Sequence, residues 1–172
     1  MSEEASKSIP SGTPPSAGLE ERLKGEVEAT ATAEGSKVRL SIHGGTRDER
    51  FDLDLEASGD GEMKCNLACA ISKRHVDNAR VRIEPERVLG VADQLRAVTK
   101  RADAVRQGGF PPCSLIGKLD VEMQGDSTTI FFMADPEQAR TAGYEPPGEV
   151  MRAAEMLYEA AEKGLGMDRV RP

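Results

Sequence analysis

The chain has 172 residues, of which 38% are hydrophobic and 31% are charged, and this composition is typical of one globular domain. The formal net charge of −7 opposes long-range attraction to nucleic acid and to anionic lipid. Aromatic residues make up only 3%, so the core has to be built from aliphatic side chains, alanine and methionine.

The N-terminal residues and the cysteines indicate the compartment. The apolar runs fall well short of the roughly 18–20 residues that a membrane-spanning helix needs. The first residues are acidic and lead into serine and proline, unlike the basic start and apolar stretch of a signal peptide. The three cysteines form an odd set, which argues against a disulfide framework. We expect a cytoplasmic protein that does not associate with membranes.

Composition also predicts the domain limits. Residues 1–17 contain serine, glycine, proline and glutamate with almost no apolar side chain, so they cannot bury enough surface to offset the entropy of ordering. We predict a disordered tail over 1–17, a single α+β domain over 18–166 and a flexible C-terminal end over 167–172.

Alternation of apolar and polar residues predicts strands in the first half of the chain. Val38, Leu40 and Ile42, for example, alternate with polar residues, so one face of that strand is apolar. The same alternation predicts strands over 26–32, 37–42, 51–56, 63–72 and 79–84. Short glycine-rich segments join the first four strands, which predicts an antiparallel meander.

The second half of the chain predicts helices and one hairpin. Pro85 suits the first position of a helix, and apolar residues at spacings of three and four predict a helix over 86–107. A hairpin over 115–132 and a last helix over 149–163, ended by Gly164, follow. The fold class is α+β, an antiparallel sheet of six to seven strands (a meander, then strand–helix–hairpin) with two amphipathic helices packed on one face.

The cysteines are the first candidates for a site. Cys65 and Cys69, with His75 in a predicted loop, could supply thiolate and imidazole ligands for zinc. Both cysteines, however, share the inward face of a predicted strand with Leu67, where a cysteine acts as a small buried hydrophobe. We expect structural thiols, no metal and no cofactor.

Charged side chains alternate with the core residues. Asp52, Asp54 and Glu56 share the outward face of one strand at spacings of about 7 Å. Cross-strand pairs with Arg39 and Lys64 are therefore expected in preference to a cation site. The sequence contains no Gly-x-Ser-x-Gly, Walker A, Gly-x-Gly-x-x-Gly or His-Glu-x-x-His motif, so we assign no catalytic residue. A small enzyme without a recognisable motif is one alternative.

Two partial resemblances supply further alternatives. The strand over 79–84, the helix that begins at Pro85 and the Leu115-Ile116-Gly117-x-Leu119 segment of a hairpin resemble part of a DNA sliding-clamp repeat over about a third of the chain. That resemblance implies nucleic-acid contacts from basic helix residues, here Arg96, Lys100 and Arg101. The acidic composition also resembles that of secretion chaperones, which implies a dimer.

The last predicted helix is the leading candidate for a protein contact. The candidate residues are Val150, Met151, Ala154, Leu157 and Tyr158. Met151 and Tyr158 widen the apolar face beyond one docking stripe, and both residue types suit interfaces. Alternatively, both side chains fill the core of their own domain. The function we expect is a non-enzymatic binding or assembly subunit, homo-oligomeric, that acts through protein–protein contacts.

Overall fold

A single antiparallel sheet organises the chain. The structure, a computed structural model, describes residues 35–99 and 110–172. The strands are β1 Lys37–Gly44, β2 Phe51–Ser58, β3 Glu62–Cys69, β4 Arg74–Arg82, β5 Ile116–Met123 and β6 Asp126–Met133. They lie in the order β4-β3-β2-β1-β5-β6, so the first four form a meander and the last two add a hairpin beside β1. The predicted strand over 26–32 and the tail over 1–17 lie outside the described residues.

Two long helices cover one face of this sheet. The helices are α1 Pro85–Thr99, α2 Pro136–Thr141 and α3 Gly148–Leu165. Helices α1 and α3 pack against each other, α1 contacts β1, β2 and β5, and α3 contacts β4. The predicted α+β class, sheet and helix placement are confirmed. None of the helices in the described ranges is long and apolar enough to cross a membrane.

The core lies between the sheet and these two helices. Leu40, Leu55 and Leu119 from the central strands are fully buried, as are Val91 of α1 and Leu157 of α3. Each such side chain stabilises the folded state by about 1.5–3 kcal/mol relative to an exposed one. Because successive strand residues point to opposite faces, the other sheet face carries the charged residues.

The boundary between β3 and β4 differs from the prediction. Strand β3 ends at Cys69 and β4 begins at Arg74, so Ile71 lies in a turn, 70% exposed, and His75 lies on a strand. A register shift between Cys65 and Leu67 interrupts the alternation, and the Asn78 amide donates to Asn66 Oδ1 at 2.8 Å. Because the bulge breaks the alternation of apolar and polar residues, the sequence pattern does not reveal the first half of β4.

The sequence predicts that Gly164 ends the last helix, but the helix continues past it. The helix continues to Leu165, and Gly166 caps it in the left-handed conformation (φ 65°), with its amide donating to the Glu162 carbonyl. Gly164 instead faces the sheet, and a Cβ atom there would lie 2.4 Å from Val81 Cβ. The absence of a side chain therefore allows α3 to approach β4 closely.

The C-terminal end is packed, although its composition predicts flexibility. Val170 is only 1% exposed and belongs to the hydrophobic core. Its amide donates to Glu162 Oε1 at 3.1 Å, and the neighbouring Arg171 guanidinium forms ion pairs with Glu155 and Glu162 of α3. One buried apolar side chain and two ion pairs to α3 thus hold this segment in place. The segment is too short to show a periodic pattern in the sequence.

Replacing Gly164 with alanine tests the close approach of α3 to β4. We expect Gly164→Ala to lower the free energy of unfolding by about 1–3 kcal/mol, because the new methyl group overpacks against Val81. Gly148→Ala is the matched control, since its Cβ would meet only the end of the Arg152 side chain at 3.3 Å. Urea unfolding measures both, and equal stability of the two variants would contradict the packing.

Candidate functional site

Several loops meet at one end of the sheet. The β1–β2 and β3–β4 connections, the start of β5 and the end of β6 all lie there because neighbouring strands run in opposite directions. The segment 169–172 also packs at this end, and together these segments surround a half-open cavity of about 630 Å³. We call it the sheet-end pocket; the lining side chains discussed below are Glu49, Phe51, Leu67, Cys69, Ile71, Ser72, Arg74, Cys113, Leu115, Asp135, Gln138, Arg169, Val170 and Arg171.

Apolar side chains form the inner wall of the sheet-end pocket. Phe51, Leu67, Leu115 and Val170 line it and are all buried in the same hydrophobic core. Ile71 lies at the outer edge, and it is the one large hydrophobic side chain that residues 35–99 and 110–172 leave exposed. The pocket therefore offers apolar contact at both its inner and its outer part.

Cys69 lies in the pocket beside a cation. In the sheet register Cys69 is directly opposite Phe51 of β2 and Arg74 of β4, so the three side chains share one face. Partial burial opposes ionisation of the thiol. Hydrogen bonds from the Ser72 hydroxyl and from the backbone amides of Ser72 and Ile71, with the charge of Arg74, outweigh it and lower the pKa of Cys69.

Arginines dominate the charge of the pocket wall. Arg74 donates to the Arg169 carbonyl, which links β4 to the C-terminal segment. Arg171 lies 5.2 Å from the centre of the Tyr158 ring and binds Glu155 at 2.5 Å and Glu162 at 3.0 Å. The two ion pairs hold this wall in place and neutralise Arg171, whereas the Arg74 guanidinium donates to the Arg169 carbonyl and the Arg169 guanidinium donates to Pro172 O at 2.6 Å.

Acidic and amide groups complete the lining. Asp135 accepts hydrogen bonds from the Glu137 and Gln138 amides at the start of α2, so its carboxylate serves the helix N-terminus. Gln138 Oε1 accepts from the Leu115 amide at 2.9 Å and ties α2 to the start of β5. Glu49, in the β1–β2 loop, is an exposed acidic group at the edge of the pocket.

The residues suggested for zinc do not come together. Cys65 faces the core, where burial raises the pKa of its thiol to about 11. His75 pairs with Ala68 in the sheet and so points to the face opposite Cys69. Within the parts of the chain that the structure describes, no group of three or more His, Cys, Asp or Glu side chains could hold a metal ion.

Charged residues on the uncovered sheet face pair across strands, as predicted. Arg39 lies 3.4 Å from Asp54, and His43 Nδ1 lies 2.8 Å from Asp52. Asp52 also accepts a hydrogen bond from Arg50, the main reason why its pKa is lowered. The acidic stripe is thus satisfied within the chain, and each exposed pair contributes at most about 1 kcal/mol.

The partner-binding residues predicted on the last helix belong to the core of their own domain. Val150, Ala154 and Leu157 are fully buried and Tyr158 is 4% exposed, which leaves only Met151 partly accessible. The helix needs this wide stripe because it contacts both α1 and β4. A partner therefore cannot reach the four buried side chains, and for these the structure favours the alternative that they fill the core.

The residues suggested for nucleic-acid contact are described only in part. Arg96 is exposed on α1, whereas Lys100 and Arg101 lie outside the described residues. The pocket itself could not be predicted, since its lining residues come from five separate segments with no motif among them. The only sequence signals were Cys69 and Ile71, which the alternation assigned to one continuous buried strand.

No protein-family model matches the chain, and no curated protein is significantly similar to it in sequence.

The burial of Tyr158 predicts the outcome of a charge substitution on α3. We expect Tyr158→Glu to unfold the domain. Burying a third carboxylate near Arg171, which already pairs with Glu155 and Glu162, and losing the aromatic ring together cost more than about 4 kcal/mol. Met151→Glu, about two turns away on the same helix and partly exposed, should destabilise the domain less. Circular dichroism and light scattering measure this, and a folded Tyr158→Glu chain of reduced mass would instead indicate an interface.

Proposed function

We propose that the chain is a non-enzymatic binding module and that the sheet-end pocket is its binding site. The main observation that supports this proposal is the cavity of about 630 Å³. Binding pockets of proteins commonly measure about 300–1,000 Å³ and combine an apolar lining with a few polar groups. Loops on a rigid sheet are also the usual place for binding residues.

The lining supports a ligand with an apolar group next to an anionic group. Phe51, Leu67 and Val170 provide an apolar wall, and Arg74 and Arg169 line the same pocket. Arginine forms charge-assisted hydrogen bonds with carboxylates, sulfonates and phosphates, and these are stronger than bonds between neutral groups.

A protein partner is the occupant that fits the outer edge best. Ile71 is 70% exposed beside the cavity, so a partner larger than the cavity would bury it. A partner segment with an apolar side chain in the pocket, followed by an acidic residue near Arg74, would complement both the apolar wall and the arginine. We place this interaction in the cytoplasm, and the partner can be a second copy of the chain, since the protein itself is acidic.

An anionic fluorescent probe tests the pocket without knowledge of the natural partner. Anilinonaphthalene sulfonate has an aromatic body and one sulfonate, so we expect saturable binding at one site. Arg74→Gln should weaken this binding about tenfold, the loss of one charge-assisted hydrogen bond of about 1.5 kcal/mol. Fluorescence titration of the folded protein gives the dissociation constants.

Arg80→Gln is the matched control for this titration. Arg80 lies on the same strand as Arg74, but it is exposed and pairs with Glu62 at 3.6 Å near the opposite end of β4. Its replacement should leave probe affinity unchanged. Binding that does not saturate, or an equal loss in both variants, would contradict the proposed site.

A further inference from the structure

We infer that the outer edge of β6 pairs antiparallel with the same edge of a second copy of the chain and joins the two sheets. In the sheet that the described residues form, β6 stands at one end of the strand order, with β5 as its hydrogen-bonded neighbour. Among the described residues that line the sheet-end pocket, none belongs to β6. The inference therefore concerns a second surface and does not depend on the proposed ligand site.

The hairpin between β5 and β6 determines which backbone groups of β6 face outward. The turn Gln124-Gly125 has positive φ at both residues (52° and 85°), so the flanking Met123 and Asp126 exchange backbone hydrogen bonds. Hydrogen-bonded pairs alternate along an antiparallel ladder, and the Ala134 amide donates to the Leu115 carbonyl at 2.9 Å in the same phase. The backbone groups of residues 127, 129, 131 and 133 therefore point away from β5.

Most of these outward-facing residues are accessible. Ser127 is exposed, and Thr129 and Phe131 are partly exposed, whereas Met133 is only 1% exposed at the end of the strand. Outward N–H and C=O groups on an edge strand are a template for pairing with another strand. The pairing surface is therefore the segment 127–131.

The two edges of the sheet differ in how they are protected. Proteins commonly block an edge strand with charged side chains, proline or a bulge. The β4 edge has a register shift in its pairing with β3, a left-handed residue, Asn78 (φ 51°), and ionisable side chains throughout. In contrast, β6 pairs with β5 without a register shift, and residues 127–133 contain no charge and no proline. The chain thus protects the β4 edge and leaves the β6 edge able to pair.

A second copy is the strand that matches all the accessible outward groups at once. In the antiparallel register centred on Thr129, this residue lies opposite its own copy and Ser127 lies opposite Phe131, so each pair exchanges two backbone hydrogen bonds. Threonine opposite threonine is a favourable cross-strand pair. Asp126, the one charged residue of β6, lies opposite the uncharged Phe132. Like charges therefore do not oppose the association along the strand.

The same register keeps the helices of both copies on one side of the joined sheet. Ile130 and Phe132 face the helices and are fully buried, whereas Thr129 lies on the uncovered face, where its Oγ1 donates to Asp120 Oδ1 at 2.6 Å. The two-fold axis stands perpendicular to the sheet at Thr129, so it carries the uncovered face of one copy onto the uncovered face of the other. The two charged faces then form one continuous surface.

Residue-resolved amide exchange at increasing protein concentration tests the pairing. In the monomer the Thr129 and Phe131 amides point away from β5, whereas the Thr128 and Ile130 amides donate to it. We expect exchange at Thr129 and Phe131 to slow at least about tenfold as the dimer forms, with Thr128 and Ile130 protected throughout. Sedimentation of the same samples should show the mass doubling at micromolar concentrations or higher, since a strand pair buries little apolar surface.

Cysteine cross-linking tests the register. Thr129→Cys should give a disulfide-linked dimer under mild oxidation, because hydrogen-bonded partners in an antiparallel pair have Cα atoms about 5.5 Å apart, within disulfide range. Ser127→Cys is the matched control, since the two copies of residue 127 lie about 13 Å apart along the strand and should not cross-link. Peptide mapping separates these links from any link through the exposed Cys113.

A proline at the centre of the pairing tests the backbone hydrogen bonds. Thr129→Pro removes the outward N–H while the ladder to β5 keeps its bonds, and the loss of two hydrogen bonds across the two-fold axis should weaken the dimer at least about tenfold. Thr129→Val loses the same hydroxyl but keeps the N–H, so its dissociation constant should stay within about twofold.

Three results would each overturn the pairing. They are a chain that stays monomeric at about 1 mM, a dimer whose Thr129 and Phe131 amides exchange as fast as in the monomer, and equal cross-linking of the two cysteine variants. Exchange is measured on the unaltered chain, so a Thr129→Pro chain that fails to fold leaves this test intact. Probe binding at the sheet-end pocket is measured separately, so the failure of one proposal is distinguishable from the failure of the other.

Discussion

One apolar sheet face has to be removed from water, and the described chain contains two helices long enough to cover it. These helices, α1 and α3, contact each other and the strands beneath. The contact of α3 with β4 depends on Gly164, because a side chain there would overlap Val81. The core is mostly aliphatic, with Phe51, Phe132 and Tyr158 as its aromatic residues, so close approach of backbone elements supplies much of the packing.

The need to cover the apolar sheet face determines where the chain can bind a ligand or partner. Both long helices use their apolar stripes for the core, and the charges on the uncovered sheet face pair across strands. The strand ends are different, because their connections have to turn and cannot all be covered by helices. Val170 and Arg171 add one wall there, and the resulting pocket combines an apolar lining, arginines and two thiols.

The sheet and the helices could be predicted because their residues repeat with the period of the element, as in Val38, Leu40 and Ile42 of β1. The start of β4 could not, since a bulge interrupts its pattern. The helix face around Leu157 was predicted as apolar, but a periodic stripe is the same whether it meets a partner or its own sheet. The pocket depends on contacts between distant segments, which have no local signal in the sequence.

The central claim is that binding takes place at the strand ends and not on the last helix. Amide NMR spectra recorded during titration with anilinonaphthalene sulfonate test it most directly, because each backbone amide reports its own surroundings. The account predicts that the shifts concentrate in the β1–β2 and β3–β4 connections and in residues 169–172. Shifts concentrated along α3 or across the charged sheet face, with the amides around Cys69 unchanged, would contradict it.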